Sequence, residues 1–353
     1  MKSRIAKCAA KLRADNLDAI LLSNPVNITY LSGFRDAEGC LLVTSQEELF
    51  YFTNFIYEYE AKTIECWKVI PSGGNILETI ANAIKKLKFH NIGFEAKNIG
   101  FLEYEKMRQS FPDKEVNLSQ TVNFIENSRM VKSKEEVSFI KKATLITGEA
   151  LNFAEQVYDR HMTEKDLAIE IEKFLRIKGS NSVAFPTIIA YGKNSALPHH
   201  EPKFEKNSEN GSVLIDLGAK YYGYCADLTR VFSLGKIPPL FRKVYDIVKK
   251  AQDLSIKKIK DGVKAKDVDK TAREFISKRG YAKYFGHGLG HGVGLQVHES
   301  PYLNPRSNDI LKEGMVVTVE PAIYLCGKFG IRIEDMVLVG KSKGEILSGD
   351  FHK

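Results

Sequence analysis

Four acidic residues interrupt otherwise apolar, strand-like segments, and this feature constrains the possible folds of the chain most strongly. Asp216 lies inside Val213–Leu217, and Asp227 lies inside Tyr222–Phe232. A hairpin turn near 220–222 would place the two aspartates at similar distances from the turn. Because residues opposed across a hairpin point to the same face of a sheet, the sequence predicts two neighbouring carboxylates.

A second pair of acids repeats this arrangement further along the chain. Glu320 lies in Met315–Tyr324 and Glu334 in Gly330–Val339, at equal distances from Gly327. Four carboxylates buried together raise one another's pKa and lose their hydration, which is unfavourable without compensation. A Lys or Arg could compensate one acid, whereas two divalent ions would neutralise all four. We therefore expect a site for two metal ions.

Histidines provide further candidate ligands. The glycine-rich segment Phe285–Pro301 contains His287, His291 and His298. Glycine lets the backbone approach a site closely, and imidazole suits first-row transition metals. The spacing of the first two histidines resembles a helical zinc pair, but the glycines disfavour a helix, so we predict no such pair. Two more candidates follow Pro198, namely His199 and His200.

The organisation of the chain indicates two domains, as its 353 residues allow. The first part alternates apolar strands with an amphipathic helix, Ile76–Leu87, which is typical of an α/β domain. Its predicted strands are Asp18–Ser23, Cys40–Thr44, Leu49–Thr53 and Asn91–Glu95. The polar stretch Glu126–Lys134 predicts a boundary, which gives domains 1–126 and 127–353. A long helix is predicted over Lys134–Tyr158.

A weak internal repeat marks the second domain. Met162–Gly179 and Val263–Gly280 share a helical pattern with acidic residues near the start and a terminal glycine. Each segment precedes one of the strand pairs that carry the acids. The repeat favours two similar halves with a site between them.

Composition excludes several other classes of protein. The net charge is +8, but the lysines are scattered, which is typical of a solvated surface rather than a nucleic-acid interface. No apolar run is long enough to cross a membrane. The five cysteines form no CxxC pair, so we expect reduced thiols. These features predict a cytoplasmic protein that binds neither nucleic acid nor membrane.

The candidate ligands, in this order and spacing, resemble the metal site of the pita-bread metallopeptidases, within which the chain is similar to the Xaa-Pro branch of prolidases and Xaa-Pro aminopeptidases. The matching stretches are Phe185–His199, Ile215–Phe232, Gly286–Pro301, Leu311–Tyr324 and Gly330–Asp335. The first domain more loosely resembles the creatinase-type N-terminal domain. The resemblance implies an α/β creatinase-type domain followed by an α+β pita-bread catalytic domain, like that of methionine aminopeptidase, with a pseudo-twofold repeat. It also implies a homodimer.

The resemblance assigns a ligand role to each of five residues. Asp216 would bind one metal ion, His291 and Glu320 the other, and Asp227 and Glu334 would bridge both. Manganese is the expected metal, with cobalt, iron or zinc as alternatives, since all four suit mixed carboxylate and imidazole ligands.

The resemblance also implies the reaction. A hydroxide bridging the two ions would attack the Xaa-Pro bond at the N-terminus of short, proline-containing peptides. His298 would stabilise the developing oxyanion, and His199 would position the substrate or close the pocket. Glu320, or the bridging pair of acids, would relay a proton to the leaving nitrogen. Arg332 would support the metal-binding acids from behind.

Alternatives remain open at this point. Tyr302 stands where prolidases often carry an arginine for the substrate's carboxylate, so both dipeptides and longer peptides are possible substrates. Creatinase-like hydrolysis and methionine aminopeptidase activity are rival chemistries on the same fold. The rival from another class is a non-catalytic pita-bread module that binds protein or RNA.

Overall fold

The computed structural model describes residues 2–35, 38–111, 116–207, 211–233, 235–236 and 238–349. The chain forms two compact units, Met1–Arg129 and Met130–Lys353. The division falls inside the polar stretch where the sequence predicts a boundary, three residues beyond the predicted 126/127 junction. None of the helices in the described ranges has the length and apolar character needed to span a bilayer.

The first unit is built on a mixed six-stranded sheet with the strand order β4-β3-β2-β1-β5-β6. Its strands are β1 Ala19–Leu22, β2 Cys40–Thr44, β3 Leu49–Thr53, β4 Lys68–Pro71, β5 Asn91–Glu95 and β6 Asn117–Thr121. Its helices are α1 Lys2–Ala14, α2 Pro25–Ser32, α3 Phe55–Ala61, α4 Ile76–Leu87, α5 Phe101–Ser110 and α6 Glu126–Arg129. The four predicted strands and the helix Ile76–Leu87 are confirmed.

The two strands that the sequence analysis missed, β4 and β6, are the edges of this sheet. Their side chains are at most half-buried, whereas β1 is buried along its whole length. Edge strands need little apolar sequence because one side of the ladder faces away from the core. The apolar pattern was therefore too weak to indicate them.

The second unit contains the helices α7 Lys134–Val157, α8 Glu164–Ile177, α9 Pro239–Lys258 and α10 Ala265–Ser277, with short 3₁₀ helices at Gly192–Ala196 and Ala282–Tyr284. Its strands are β7 Ser182–Val183, β8 Ile188–Tyr191, β9 Ser212–Leu217, β10 Ala219–Tyr221, β11 Tyr224–Cys225, β12 Leu228–Ser233, β13 Gly290–Gly292, β14 Glu299–Leu303, β15 Val316–Val319, β16 Ala322–Leu325, β17 Phe329–Arg332, β18 Asp335–Val339 and β19 Gly344–Ile346. The sheets are β11-β10-β7, β12-β9-β8, β14-β13-β15-β18-β19 and β16-β17.

The helices of the second unit begin and end where local chemistry dictates. Ser133 and Glu136 form a reciprocal capping box that starts the predicted long helix α7. The repeated segments form α8 and α10, which are followed by Gly179 at φ 95° and Gly280 at φ 86°. Only glycine adopts this left-handed conformation without strain, so both helices end there.

The first acid-bearing hairpin turns later than predicted. Tyr222 and Gly223 both have positive φ, 49° and 85°, as a two-residue type I′ turn requires. Consequently Asp216 lies opposite Thr229 rather than opposite Asp227. The predicted turn near 220–222 and the predicted unbroken strand 222–232 are therefore wrong. The register differs from the predicted one by two residues. Because side chains alternate between the two faces of a strand, a shift of two leaves each side chain on its predicted face, and both aspartates still project to the same side.

The second acid-bearing hairpin has the predicted register. Its ladders pair Val319 with Asp335 and Ala322 with Arg332, so Glu320 and Glu334 face each other between them. The strands break here because Pro321, which follows Glu320, has no N–H for the ladder. Both acids therefore leave the regular sheet at the same point.

Candidate metal centre

Five acidic and imidazole side chains converge at one cavity of about 740 Å³ in the second unit. They are the five predicted ligands, Asp216, Asp227, His291, Glu320 and Glu334. They come from the interrupted ends of the two hairpins and from β13. Glu320 is partly accessible, and the other four are buried.

Two overlapping groups of ligand atoms lie within this cluster. Asp216, Asp227 and Glu334 offer atoms within 4.8 Å of one another, and so do His291, Glu320 and Glu334. Glu334 belongs to both groups. A third group of the same size joins Asp227 and His291 to His298. The geometry therefore offers two adjacent positions for a metal ion, which share acidic side chains.

Electrostatics within the cluster are unfavourable for the acids alone. Burial raises the pKa of Asp227 well above its ordinary value, and the charges of Glu334, Asp216 and Glu320 raise it further. Burial likewise raises the pKa of Glu334 well above its ordinary value, together with the charges of Glu320 and Asp216. Burial raises the pKa of Glu320, but the hydrogen bond and charge of His291, together with the charges of His287 and Arg332, bring it below its ordinary value. Positive charge among these groups would stabilise them.

His291 is oriented by its own backbone. The Nδ1 atom lies 3.1 Å from the carbonyl oxygen of Gly292, which can only accept, so Nδ1 donates. The other ring nitrogen, Nε2, faces Glu320 Oε1 at 3.2 Å and Asp227 Oδ2 at 3.7 Å. Fixing one nitrogen in this way is how proteins present the other to a metal.

Arg332 lies beside the acid cluster and donates hydrogen bonds to three side chains. Its Nη2 donates to Asp216 Oδ2 at 2.5 Å, its Nη1 to the Tyr324 hydroxyl at 2.8 Å, and its Nε to Thr229 Oγ1 at 3.1 Å. The Thr229 hydroxyl in turn donates to Glu334 Oε2 at 2.8 Å. One guanidinium therefore connects the two acid-bearing hairpins.

Three residues that form hydrogen bonds around the acid cluster were not predicted from the sequence. Thr229 and Tyr324 carry a weak signal, because each lies on the same strand segment as a predicted ligand. Gln252 on α9 carries none, since a glutamine in an amphipathic helix resembles a solvent-exposed residue. It is fully buried, and its Nε2 donates to the carbonyls of Val319 and Ile333, which directly precede the two glutamates.

The remaining predicted histidines line the same cavity. His298 is exposed at its surface, with its ring 4.3 Å from that of His291. The cavity walls remove water from part of the His298 ring, which lowers its pKa although the residue remains exposed, and the neighbouring His291 lowers the pKa further, which favours the neutral ring. His199 is exposed, whereas His200 is buried. His287 donates from Nδ1 to the carbonyl of Gly288 and contacts the Tyr324 hydroxyl through Nε2.

The donor set fits a pair of divalent ions. Asp216 Oδ1 and Glu334 Oε1 are buried, and neither has a hydrogen-bond partner in the parts of the chain that the structure describes. Such atoms are unfavourable unless another group, such as a cation, satisfies them. Mixed carboxylate and imidazole donors suit first-row divalent metals. The fold and this site define a metal-dependent enzyme.

Family models and known relatives agree with this class. Residues 138–341 match the model of metallopeptidase family M24, and residues 4–131 match the creatinase/prolidase N-terminal domain. The chain therefore belongs to metallopeptidase family M24. The predicted resemblance and fold class are both confirmed.

Three relatives cover nearly the whole chain. A Xaa-Pro dipeptidase from Pyrococcus furiosus is 33% identical over 99% of this chain and 98% of its own length. The structure of a Xaa-Pro dipeptidase from Bacillus anthracis has a TM-score of 0.94 and 30% identity, covering 99% of this chain and 97% of that one. That of an X-Pro aminopeptidase from Thermotoga maritima has a TM-score of 0.88 and 35% identity, with 96% and 97% covered.

Proposed function

We propose that this protein hydrolyses the Xaa-Pro bond at the N-terminus of short peptides, with two divalent metal ions as cofactors. The observation that carries the hydrolytic part is the convergence of the five predicted ligands on one cavity. The preference for proline rests on the relatives, two of which are named as Xaa-Pro dipeptidases and one as an X-Pro aminopeptidase.

The proposed ligand roles follow the overlap of the two groups. Asp216 would hold one ion, and His291 and Glu320 would hold the other. Glu334 occurs in both groups, and Asp227 lies within reach of Asp216 and of His291. These two acids are therefore the natural bridges. Manganese is the proposed metal, and cobalt, iron and zinc suit the same donors.

Divalent ions held by these ligands would lower the pKa of a bound water molecule, so that hydroxide would be present as a nucleophile near neutral pH. The residues of the chain then direct the reaction. Glu320, the most accessible of the acids, accepts the proton of the attacking water and returns it to the proline nitrogen as the C–N bond breaks. Neutral His298 donates a hydrogen bond to the oxygen of the scissile carbonyl as it gains negative charge. His199 contacts the bound peptide.

The charge of the cavity favours peptides longer than two residues. Among the described lining residues there is no lysine, and the sole arginine, Arg332, is engaged with Asp216. The cavity wall includes Tyr302, at the position where prolidases often carry an arginine, and Asn304. Both side chains are uncharged. A dipeptide would place its carboxylate in this cavity without a cationic side chain, whereas a longer peptide carries its carboxylate outside.

Reconstitution with metal followed by peptide cleavage tests the proposal. The protein is stripped with a chelator, reloaded with Mn²⁺, Co²⁺, Fe²⁺ or Zn²⁺, and incubated with Ala-Pro, Ala-Pro-Ala and, as a matched control, Ala-Ala-Ala. We expect about two ions per chain, release of alanine from the proline peptides alone, and faster cleavage of Ala-Pro-Ala. Binding of two ions without cleavage of any proline peptide would contradict the proposal and favour a binding module.

The cellular setting is also proposed. We propose a cytoplasmic homodimer that acts on peptides and binds neither nucleic acid nor membrane. The scattered lysines support the absence of a nucleic-acid interface, and the free cysteines support a reducing compartment, whereas the dimer rests on the family resemblance. Light scattering of the purified protein measures the oligomeric state, and a monomer would contradict the dimer.

A further inference from the structure

A buried carboxylate that the proposed reaction does not use lies behind the wall of the cavity. Glu164 is the first residue of α8 and is fully buried. Its Oε1 accepts hydrogen bonds from the backbone N of Tyr191 at 2.7 Å and from Asn194 Nδ2 at 2.9 Å. Its Oε2 accepts from His200 Nε2 at 2.7 Å and from the backbone N of Lys203 at 3.0 Å.

These four contacts match an ionised carboxylate. Two backbone N–H groups and one amide can only donate to Glu164, so its oxygens act as acceptors. An ionised Glu164 can only accept, and against it His200 donates from Nε2. Glu164 also lies in the first turn of α8, where the helix dipole favours negative charge. The result is a buried contact between an acid and an imidazole, in which each oxygen of the acid accepts two hydrogen bonds.

The donors bracket a single loop. Tyr191 directly precedes the loop 192–203 and Lys203 ends it, so one carboxylate ties both ends together. Five consecutive residues in the second half of this loop line the cavity, namely Pro198, His199, His200, Glu201 and Pro202.

The other side of the loop is anchored to the strands of the metal centre. Ser195 Oγ accepts from the backbone N of Gly330 at 2.8 Å, and the Pro198 carbonyl accepts from Arg332 Nη1 at 3.3 Å. The loop therefore lies between the metal centre on one side and Glu164 on the other. Its position depends on both sets of contacts.

We propose that Glu164 and His200 are positioning residues whose hydrogen bond holds the loop 192–203 so that His199 faces the bound peptide. The proposal rests on the proposed peptidase function, because the peptide is what His199 contacts. Glu164 itself touches neither the peptide nor the metal ligands in this arrangement. Its effect on the reaction passes through the loop.

A double-mutant cycle between Glu164→Gln and His199→Ala tests this coupling. Gln keeps the shape of Glu164 but replaces one of its oxygens with an NH₂ group. That group would face N–H donors that now bind the oxygen, so their hydrogen bonds would be lost. We expect kcat/KM for Ala-Pro-Ala to fall about 10- to 100-fold, as for other residues that orient a site, with the metal content unchanged. In the His199→Ala variant, Glu164→Gln should lower kcat/KM by less than about threefold, because the His199 side chain that Glu164 positions is no longer present.

A pair of substitutions at His200 provides a second test that does not depend on the folding of the Glu164 variant. Gln keeps an N–H donor near the position of Nε2, whereas Phe keeps a ring of similar bulk without a donor. We expect His200→Gln to retain most of the activity and His200→Phe to resemble Glu164→Gln. Equal activity of the two His200 variants would overturn the proposal.

Glu95 offers a matched control in the other unit. It is also a buried carboxylate, and it accepts from the backbone N of Ser23 and Asn24 and from Asn27 Nδ2 at 2.6–2.7 Å. Glu95→Gln should lower the melting temperature as Glu164→Gln does, but leave kcat/KM within about twofold, because Glu95 shares no hydrogen-bond partner with Glu164.

The possible failures are distinguishable. A wild-type protein that binds metal but cleaves no Xaa-Pro peptide would overturn the proposed function and the positioning role together. An active wild type in which Glu164→Gln has no effect, or the same effect with and without His199, would overturn the positioning role alone.

Discussion

At the scale of single residues, the site is defined by unfavourable charge. Asp227 and Glu334 are buried beside other acids, and burial with this repulsion raises the pKa of both carboxyl groups well above their ordinary values. Arg332 offsets part of the charge through Asp216. Without metal, this cluster must destabilise the folded chain at neutral pH.

The first prediction is that Glu334→Gln stabilises the metal-free protein. The folded chain keeps the Glu334 proton at pH values where the unfolded chain has lost it, so wild-type stability falls as the pH rises above about 4. Gln removes this titration. We expect the melting temperature of the variant to exceed that of wild type by about 2–4 °C at pH 8, with the difference shrinking towards pH 4.

A surface carboxylate serves as the control for this prediction. Glu345 is exposed and pairs with Lys141 at 2.6 Å. Glu345→Gln should show little change with pH, because exposed ion pairs contribute little. A difference between Glu334→Gln and wild type that is constant with pH would contradict the assignment of the raised pKa.

The second prediction concerns the oxyanion donor. His298→Ala should lower kcat for Ala-Pro-Ala by about 10²–10³, the usual effect of removing one such donor, with metal stoichiometry unchanged. The matched control is His161→Ala, since His161 is an exposed histidine of the same unit that does not line the cavity. Steady-state kinetics with metal analysis measures both variants, and full activity of His298→Ala would rule out the proposed role.

At the scale of elements, close backbone approach fixes the two hairpins. A Cβ at Gly218 would lie 1.9 Å from the carbonyl oxygen of Ala226, which belongs to the facing segment of the same hairpin. Gly218 lies two residues after Asp216, and Ala226 directly precedes Asp227. The spacing of the aspartates therefore depends on the absence of a side chain at this position.

The third prediction follows from this contact. Gly218→Ala should separate the strands, lower the free energy of unfolding by about 1–3 kcal/mol and reduce metal affinity. Gly73 in the first unit is the control, since an added Cβ there meets no atom of the described chain within 4 Å and its φ is not positive. Thermal unfolding and metal titration measure both variants. Unchanged metal binding in Gly218→Ala would show that the strands tolerate separation.

At the scale of the whole molecule, each unit has its own hydrophobic core. The first is centred on the sheet strands and α4, and the second on α9, α10 and the strands of the second half. Separate cores are the property that allows domains to fold alone. The assignment of residues 1–126 and 127–353 as functional domains stays a prediction, which fragments can test.

The fourth prediction is that fragment 1–129 unfolds cooperatively on its own and at a higher temperature than fragment 1–126. Arg129 is buried, and its Nη1 donates to Asn27 Oδ1 at 2.8 Å, so the shorter fragment loses an internal contact together with most of α6. Removing one partner of a buried hydrogen bond costs about 1–3 kcal/mol. Circular dichroism with heating measures both fragments. Equal melting temperatures would place the boundary at 126.

The sequence alone determined the local elements and the identity of the charged cluster. Strands such as β2 and β3 and the helix α4 were predictable because apolar periodicity is a local property. The four acids were identifiable because a charge inside an apolar strand is unfavourable wherever the strand lies. Glu320 and Glu334 could even be paired, since Gly327 marks their turn and its φ is positive.

Only the tertiary structure decided the partners of these acids. Arg332 meets Asp216 across 116 positions of sequence, and Gln252 reaches two strand ends from a helix that carries no local sign of this contact. The first hairpin was predicted to be centred too early, because Tyr222 is an unusual residue for the left-handed turn that it forms with Gly223. Periodicity reports which face of an element is buried. Which residues lie against that face depends on contacts between distant segments, and these form only when the chain folds.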